Sequence, residues 1–354
     1  MRKGRTLVLA VLALLVASAG FGSPARPDAR TQQVSLRPVG MNAEPSMRPW
    51  RYVGANPDGW WCRPGGCAGV RSGTAFVDRE MPLIAKLGTR TLRLEFPWPL
   101  IEPRRGRYDW RRADYILAMA RRHGLIVQPI LVYTPSWTGR ALNAPPAARD
   151  FSRFARAFAT RYRRSLSHYE LWNEPNSHRY FQGNARDYVR RVLIPGSRAV
   201  RVGDPGAKVL LGGPTSADVG WLEAIYSEGG GSSFDILPFH DYSGDAAAIV
   251  RNAQVVQRIL NAHGQGRKPI WLGEFGIQEA DLDGPNQATL LRDVVTSTAP
   301  LAMVQWYSLR DDFSMECCPP RTLEHEFYGL MSHDYVEKRS YETLRQLLAA
   351  QRTR

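Results

Sequence analysis

The chain has 354 residues, 44% of them hydrophobic and 23% charged, a composition that supports a large core and excludes a disordered or low-complexity protein. Its formal net charge is +14, from 47 Lys and Arg against 33 Asp and Glu. The arginines (Arg153, Arg156, Arg161, Arg163, Arg164, Arg190, Arg191) are spread along predicted helices and form no nucleic-acid motif, so the charge reads as a solvated helix face, with an acidic polysaccharide as a weaker alternative.

The elements follow in chain order. Arg2, Lys3 and Arg5 precede an apolar run over 7–16 that is too short to span a bilayer. Ala17, Ser18 and Ala19 form a small-residue cleavage site, with Ser23, Pro24 and Ala25 as a second. Residues 1–25 read as a signal peptide and the protein as secreted, with no stable membrane insertion. Residues 26–50 are polar and contain Pro, and read as a linker or amino-terminal arm. From residue 51 to 354 one domain is expected. Short apolar runs at 52–56, 90–96, 125–133, 168–173, 208–212, 234–240, 269–275 and 302–308 give eight candidate strands.

Amphipathic stretches lie between them. Ala113, Ile116, Leu117 and Ala120 fall on one helical stripe, Asp109 can cap its start and Gly124 its end. Similar helices fit 76–87, 149–164, 185–201, 218–228, 246–263, 287–298 and 338–350. Eight strand–helix units with mostly apolar strands predict an α/β fold, a (β/α)8 barrel. A doubly wound open sheet is second, because no G-x-G-x-x-G follows the first strand.

Four cysteines in an exported chain favour disulfides over metal. Cys62 and Cys67 fall on loop one, Cys317 and Cys318 on loop eight, and these loops are neighbours in a closed barrel. At least one bridge between the loops is expected, since a bridge between adjacent cysteines is strained; a local Cys62–Cys67 bridge is the rival.

Barrel active sites lie at the carboxyl ends of the strands. Those ends carry Arg93, Glu95 and Trp98, Tyr133 and Trp137, the run Trp172, Asn173, Glu174, Pro175 and Asn176, then His240 and Tyr242, Glu274, and finally Trp306, Asp311 and Asp312. Cleaving a glycosidic bond takes two carboxyl groups across the anomeric carbon, one holding a proton and one ionised. Strands four and seven face each other across a barrel mouth, so Glu174 and Glu274 can flank one sugar. Asn173 can hydrogen-bond a sugar 2-hydroxyl, and the aromatic residues can stack on sugar faces. This chemistry calls for no cofactor and no metal.

These motifs resemble the clan A glycoside hydrolases, retaining (β/α)8 enzymes, and are most like family 39, with cellulase-like family 5 next. The resemblance covers nearly the whole mature chain. It implies that Glu174, in the Asn-Glu pair of strand four, is the acid/base, and that Glu274, in Trp271-Leu272-Gly273-Glu274-Phe275-Gly276, is the nucleophile. Arg93 matches the strand-two Arg that holds the nucleophile ionised, His240 and Tyr242 the strand-six His-x-Tyr, and Trp306 the strand-eight Trp under the cleavage-site sugar. Tyr133-Thr134-Pro135-Ser136-Trp137 and Tyr328-Gly329-Leu330 are similar to family 39. Family 5 commonly carries a His where this chain has Tyr133.

A retaining O-glycosyl hydrolase acting on an oligo- or polysaccharide is therefore expected, as a monomer. A substrate-binding barrel without turnover and a transglycosylase are the alternatives. The retaining mechanism predicts carboxyl groups about 5–5.5 Å apart. Bland roles remain open at several positions: Arg93 as an ion partner of Glu95 on the same strand face, His240 as a core histidine, Trp98 and Trp137 as wall packing, Asp311 and Asp312 as loop charges.

Overall fold

The computed structural model describes residues 39–42, 74–311 and 327–352, all within one unit, Leu36–Arg354. Eight parallel strands are present among them: β1 (Val39–Asn42), β2 (Thr91–Pro97), β3 (Ile126–Val132), β4 (His168–Leu171), β5 (Lys208–Leu211), β6 (Leu237–Asp241), β7 (Ile270–Phe275) and β8 (Met303–Tyr307). Their order is β5-β4-β3-β2-β1-β8-β7-β6. A parallel bridge between Leu210 and Ile236, with Leu211 N donating to Ile236 O at 3.1 Å, joins the two ends. The fold is the expected (β/α)8 barrel.

The helices outside it are α1 (Thr74–Leu87), α2 (Trp98–Ile101), α3 (Arg111–Arg122), α4 (Ala148–Tyr162), α5 (Ala185–Tyr188) running through a wider turn into α6 (Ile194–Gly203), α7 (Val219–Ser227), α8 (Ala246–Ala262), α9 (Pro285–Thr296) and α10 (Arg339–Arg352). The stripe on α3 is buried as its period requires: Ala113, Ile116 and Ala120 face the barrel. Asp109 accepts from Arg111 N at 3.2 Å, and Gly124 closes the helix with φ +66°, a conformation that strains any residue with a Cβ. No helix among the described residues is long and apolar enough to cross a membrane.

One element differs from expectation. The first strand is Val39–Asn42, inside the segment read as an arm, and pairs with both β2 and β8. Four residues, one of them Gly40, are too few for a periodic signal, yet two neighbouring strands supply all the pairing they need. The run at 52–56 lies outside the described residues, as do the signal segment and all four cysteines.

Strand alternation divides the side chains between barrel interior and helix layer. At the amino-terminal end of the barrel Leu210, Ile236, Trp271 and Met303 form a small buried cluster separate from the main core. One step towards the carboxyl ends the interior turns polar, with Arg93, Gln128, Glu170 and Gln305 all fully or almost fully buried.

Strand β7 breaks its own alternation. Its register slips by one residue against both β6 and β8: Leu272 pairs with Phe239, yet Glu274 pairs with His240. Gly273 is the extra residue of a β-bulge. Strict alternation from inward Trp271 would turn Glu274 outward; the bulge turns it into the barrel mouth.

Candidate active site

Glu274 is buried, and three groups hold it. Arg93 donates from Nη1 to Oε1. Tyr242 donates its hydroxyl to Oε2 at 2.7 Å, and His240 Nδ1 lies 3.5 Å from the same oxygen. Burial opposes ionisation of this carboxyl, but His240, Arg93 and Tyr242 outweigh it and hold the carboxyl below its ordinary range. The Tyr242 hydroxyl moves the opposite way, well above its ordinary value, because it is buried and beside the Glu274 charge.

Glu174 sits in the turn after β4, with a partly exposed side chain. Its Oε1 lies 2.8 Å from His240 Nδ1. The backbone reaches it through left-handed residues, Trp172 at φ +79° and Glu174 itself at φ +42°, and Tyr133 at the end of β3 has φ +72°. Each such non-glycine conformation costs about 1–3 kcal/mol and persists only where surrounding contacts enforce it. Here Trp172 is wedged against Tyr133, Phe151 and Phe181, its Nε1 donates to Tyr180 O at 2.9 Å, and Glu174 N donates to Gly213 O at 3.1 Å.

One ring nitrogen of His240 and one oxygen from each carboxylate all lie within 4.8 Å of one another. The His240 ring is fully buried, and Nε2 has no partner among the described residues. Two glycines make its slot. A Cβ at Gly213 would come 2.7 Å from Nε2, and one at Gly273 would come 3.3 Å from it. The same trio has donor spacing that fits a metal ion, but the cation beside Glu274 is the Arg93 guanidinium, which already supplies that carboxylate with positive charge.

Residues 149–325 match the family model described as glycosyl hydrolase catalytic core. The chain belongs to this family. No curated protein sequence matches it. Among solved structures it is similar to a family 39 glycoside hydrolase from the gut symbiont Bacteroides cellulosilyticus WH2, at 16% identity over 88% of this chain and 64% of that one, with a TM-score of 0.61. A GH39 β-xylosidase from Caulobacter crescentus gives 17% identity over 89% and 72%, with a TM-score of 0.64. GH5_18 from Streptomyces cattleya gives 17% identity over 90% and 82%, with a TM-score of 0.64. These likenesses share the fold, and the chain spans just under two thirds of the length of the first, 64%.

The site brings together Glu174, Glu274, Arg93, Asn173, His240 and Tyr242 of the residues singled out from sequence. Asn173 Oδ1 accepts from Arg93 Nη2 at 2.9 Å, which fixes the amide and leaves Nδ2 as the group it can offer a sugar. Arg93 and His240 stand among the residues that the resemblance places around the substrate. Both are fully buried and engaged with carboxylates, so they reach a sugar only through Glu174 and Glu274. Arg93 pairs with Glu170 and Glu274, while Glu95 accepts from the Tyr133 hydroxyl at 2.9 Å.

Trp306 is a correction. It is fully buried, edge-on to Phe275 at 5.1 Å, with Nε1 donating to Tyr328 O. Alternation explains this: Gln305 reaches Gln128 inside the barrel, so Trp306 faces the helices and Tyr307 turns back towards the mouth beside Tyr242, 5.8 Å ring to ring. Trp137 is also wall packing. It meets Trp98 edge-on and donates to Glu102 O at 2.7 Å, with Arg105 and Arg153 over its ring. Asp311 is no solvated charge either: it is buried and paired with Lys338 at 2.7 Å. Asp312 lies outside the described residues.

Sequence reading passed over Glu170, Gln128 and Gln305. The signal was present for Gln128 and Gln305, each a lone polar residue in an otherwise apolar strand, and weaker for Glu170, which shares the short β4 with His168.

Proposed function

We propose that this glycoside hydrolase cleaves O-glycosidic bonds of an oligo- or polysaccharide with retention of configuration, with Glu174 as acid/base and Glu274 as nucleophile. The observation that carries the reading is the spacing of the two carboxylates, whose facing oxygens lie within 4.8 Å. Retaining enzymes hold their two carboxyl groups about 5–5.5 Å apart and inverting ones roughly 6.5–9.5 Å, so carboxylates with oxygens this near support retention.

The surroundings support a division of labour. Glu274 has the cation, the hydroxyl donor and the lowered pKa of a group that attacks as an anion. Glu174 is the more exposed and has no Arg or Lys ion partner among the described residues, which suits a group that cycles its proton. In the first step Glu274 forms a bond to the anomeric carbon as the bond to the leaving oxygen breaks, and Glu174 gives that oxygen its proton. In the second step water attacks the same carbon, its proton passes to Glu174, and the Glu274 carboxylate leaves. Asn173 offers Nδ2 to the sugar, and Tyr133 with Glu95, and Tyr307, border the mouth.

The reading includes export, supported by the basic start, apolar run and small-residue site of residues 1–25. Azide tests the assignment. With Glu174→Ala and an activated aryl glycoside, azide should intercept the covalent intermediate and give a glycosyl azide of retained configuration. With Glu274→Ala it should attack directly and give the inverted azide. Aryl β-xyloside, β-glucoside and β-mannoside form the first panel. Equal losses on good and poor leaving groups, with no azide product from either variant, would refute the roles.

A further inference from the structure

Glu170 is fully buried in the middle of β4, and neither step above uses it. A carboxylate there needs partners, because an uncompensated buried charge is strongly unfavourable. It has four donor contacts. Arg93 grips it in two-pronged fashion, Nε to Oε2 at 2.7 Å and Nη2 to Oε1 at 2.8 Å. Gln128 Nε2 donates to Oε2 at 2.8 Å and Gly213 N to Oε1 at 3.2 Å.

The support continues across the barrel. Gln128 can turn its amide nitrogen to Glu170 because its Oε1 accepts from Gln305 Nε2 at 3.0 Å. Gln305 in turn occupies space that Gly40 leaves open, since a Cβ there would meet Gln305 Cγ at 2.9 Å. Groups from β1, β3 and β8 thus converge to hold one carboxylate on β4. The barrel closes without such a layer just below, where Leu210, Ile236, Trp271 and Met303 fill the same interior.

We propose that Glu170 is a positioning residue that sets the basicity of the nucleophile through Arg93; the proposal rests on the reading of Glu274 as that nucleophile. The guanidinium is planar and its donors have fixed directions. With Nε and Nη2 engaged by Glu170, rotation is prevented and Nη1 is aimed at Glu274. The charge matters as well. One cation stands between two anions, so Glu274 receives only part of its stabilisation. It stays ionised yet remains basic enough to attack carbon. Without the second anion Arg93 would pair with Glu274 alone, making it a weaker nucleophile and a better leaving group.

The test is the Glu170→Gln variant, which keeps the shape and one oxygen acceptor but removes the charge. The probe is a dinitrophenyl 2-deoxy-2-fluoroglycoside of the sugar turned over fastest in the aryl glycoside panel. Its glycosyl-enzyme forms and then hydrolyses slowly, so each step is timed separately, with circular dichroism and melting temperature checking the fold. In formation the bond to Glu274 is made as dinitrophenolate departs. In hydrolysis that bond breaks as water attacks, with Glu174 taking the proton. A weaker base at Glu274 slows the first relative to the second, and the ratio of the two rates should fall on the order of tenfold, as for a shift of about one pKa unit.

Gln128→Met serves as the second variant, and carries the test if Glu170→Gln does not fold. It withdraws a donor from Glu170, strengthens the pull of that carboxylate on Arg93, and should move the ratio in the opposite direction by roughly twofold to threefold. Parallel slowing of both steps, or an unmoved ratio in both variants, would show a merely structural role and overturn the proposal. Mass spectrometry of the wild-type adduct separates this from the underlying reading. Sugar on Glu274 with an unmoved ratio sinks only the role of Glu170; sugar on any other residue sinks both.

Discussion

The barrel interior holds two neighbouring layers that solve burial in opposite ways. Near the amino-terminal ends of the strands Leu210, Ile236, Trp271 and Met303 fill the space with apolar side chains. Immediately above, Arg93, Gln128, Glu170 and Gln305 fill it with charges and amides joined by hydrogen bonds of 2.7–3.0 Å. The same alternation supplies both, the lower layer from β5, β7, β8 and the residue before β6, the upper from β2, β3, β4 and β8. The lower layer gains its stability from transfer out of water, about 25 cal/mol per Å² of apolar surface. The upper layer gains little net stability, because the desolvation of its charges offsets their attraction. What it gains is a fixed guanidinium under Glu274. Substitutions in the lower layer should therefore lower stability, and substitutions at and above the upper layer should lower turnover.

The largest effect is expected at Glu274. Glu274→Ala should lower turnover of an aryl glycoside at least about 10⁴-fold, as for loss of a nucleophile that acts in a concerted unit. The fold should survive, because Arg93 keeps Glu170 as its counter-ion. Steady-state rates beside a thermal melt check both halves of this expectation. Glu174→Ala comes next, with a loss of about 10²–10⁴-fold on substrates whose leaving group needs protonation and a much smaller loss on dinitrophenyl glycosides. A plot of rate against leaving-group acidity, steep in the variant and shallow in the wild type, measures that difference.

In the lower layer the sign of the comparison reverses. Met303→Ala should cost about 2–5 kcal/mol of stability by leaving a cavity, with turnover unchanged well below the melting temperature. Denaturant titration with parallel kinetics tests it, and a large loss of turnover in a folded variant would erase the distinction between the layers.

The smallest expected effect lies beside the barrel, at Asp311. Burial raises its pKa to about 6 against 3.8 when exposed, despite the Lys338 ammonium. A folded-state pKa above the unfolded one means a contribution fully present below about pH 4 and lost as pH rises through 6. Asp311→Asn should remove that loss, so its melting temperature should rise relative to wild type over this window. A constant difference between the two curves would contradict the assignment.

Much of this was legible in the chain. The strands after the first announced themselves as apolar runs, and Asn173-Glu174 and Gly273-Glu274 as carboxylates at strand ends. Three things were obscured for physical reasons. Strand β1 owes its place to pairing with β2 and β8, which four residues near Gly40 do not advertise. The bulge at Gly273 changes the side of the sheet on which Glu274 emerges, and no local periodicity encodes it. Trp306 and Tyr307 are both plausible sugar platforms by residue type, and only the inward contact of Gln305 decides between them. Glu170 was visible as a charge within the short strand β4, but its meaning needed the position of Arg93.

The most direct measurement is peptide mapping of the hydrolase after reaction with the dinitrophenyl 2-deoxy-2-fluoroglycoside, which traps any sugar bound to the protein. The account predicts one sugar per chain, on the peptide carrying Glu274, released with retained anomeric configuration. A reactive enzyme that carries no sugar and gives the inverted product, or one labelled at another residue, would contradict it.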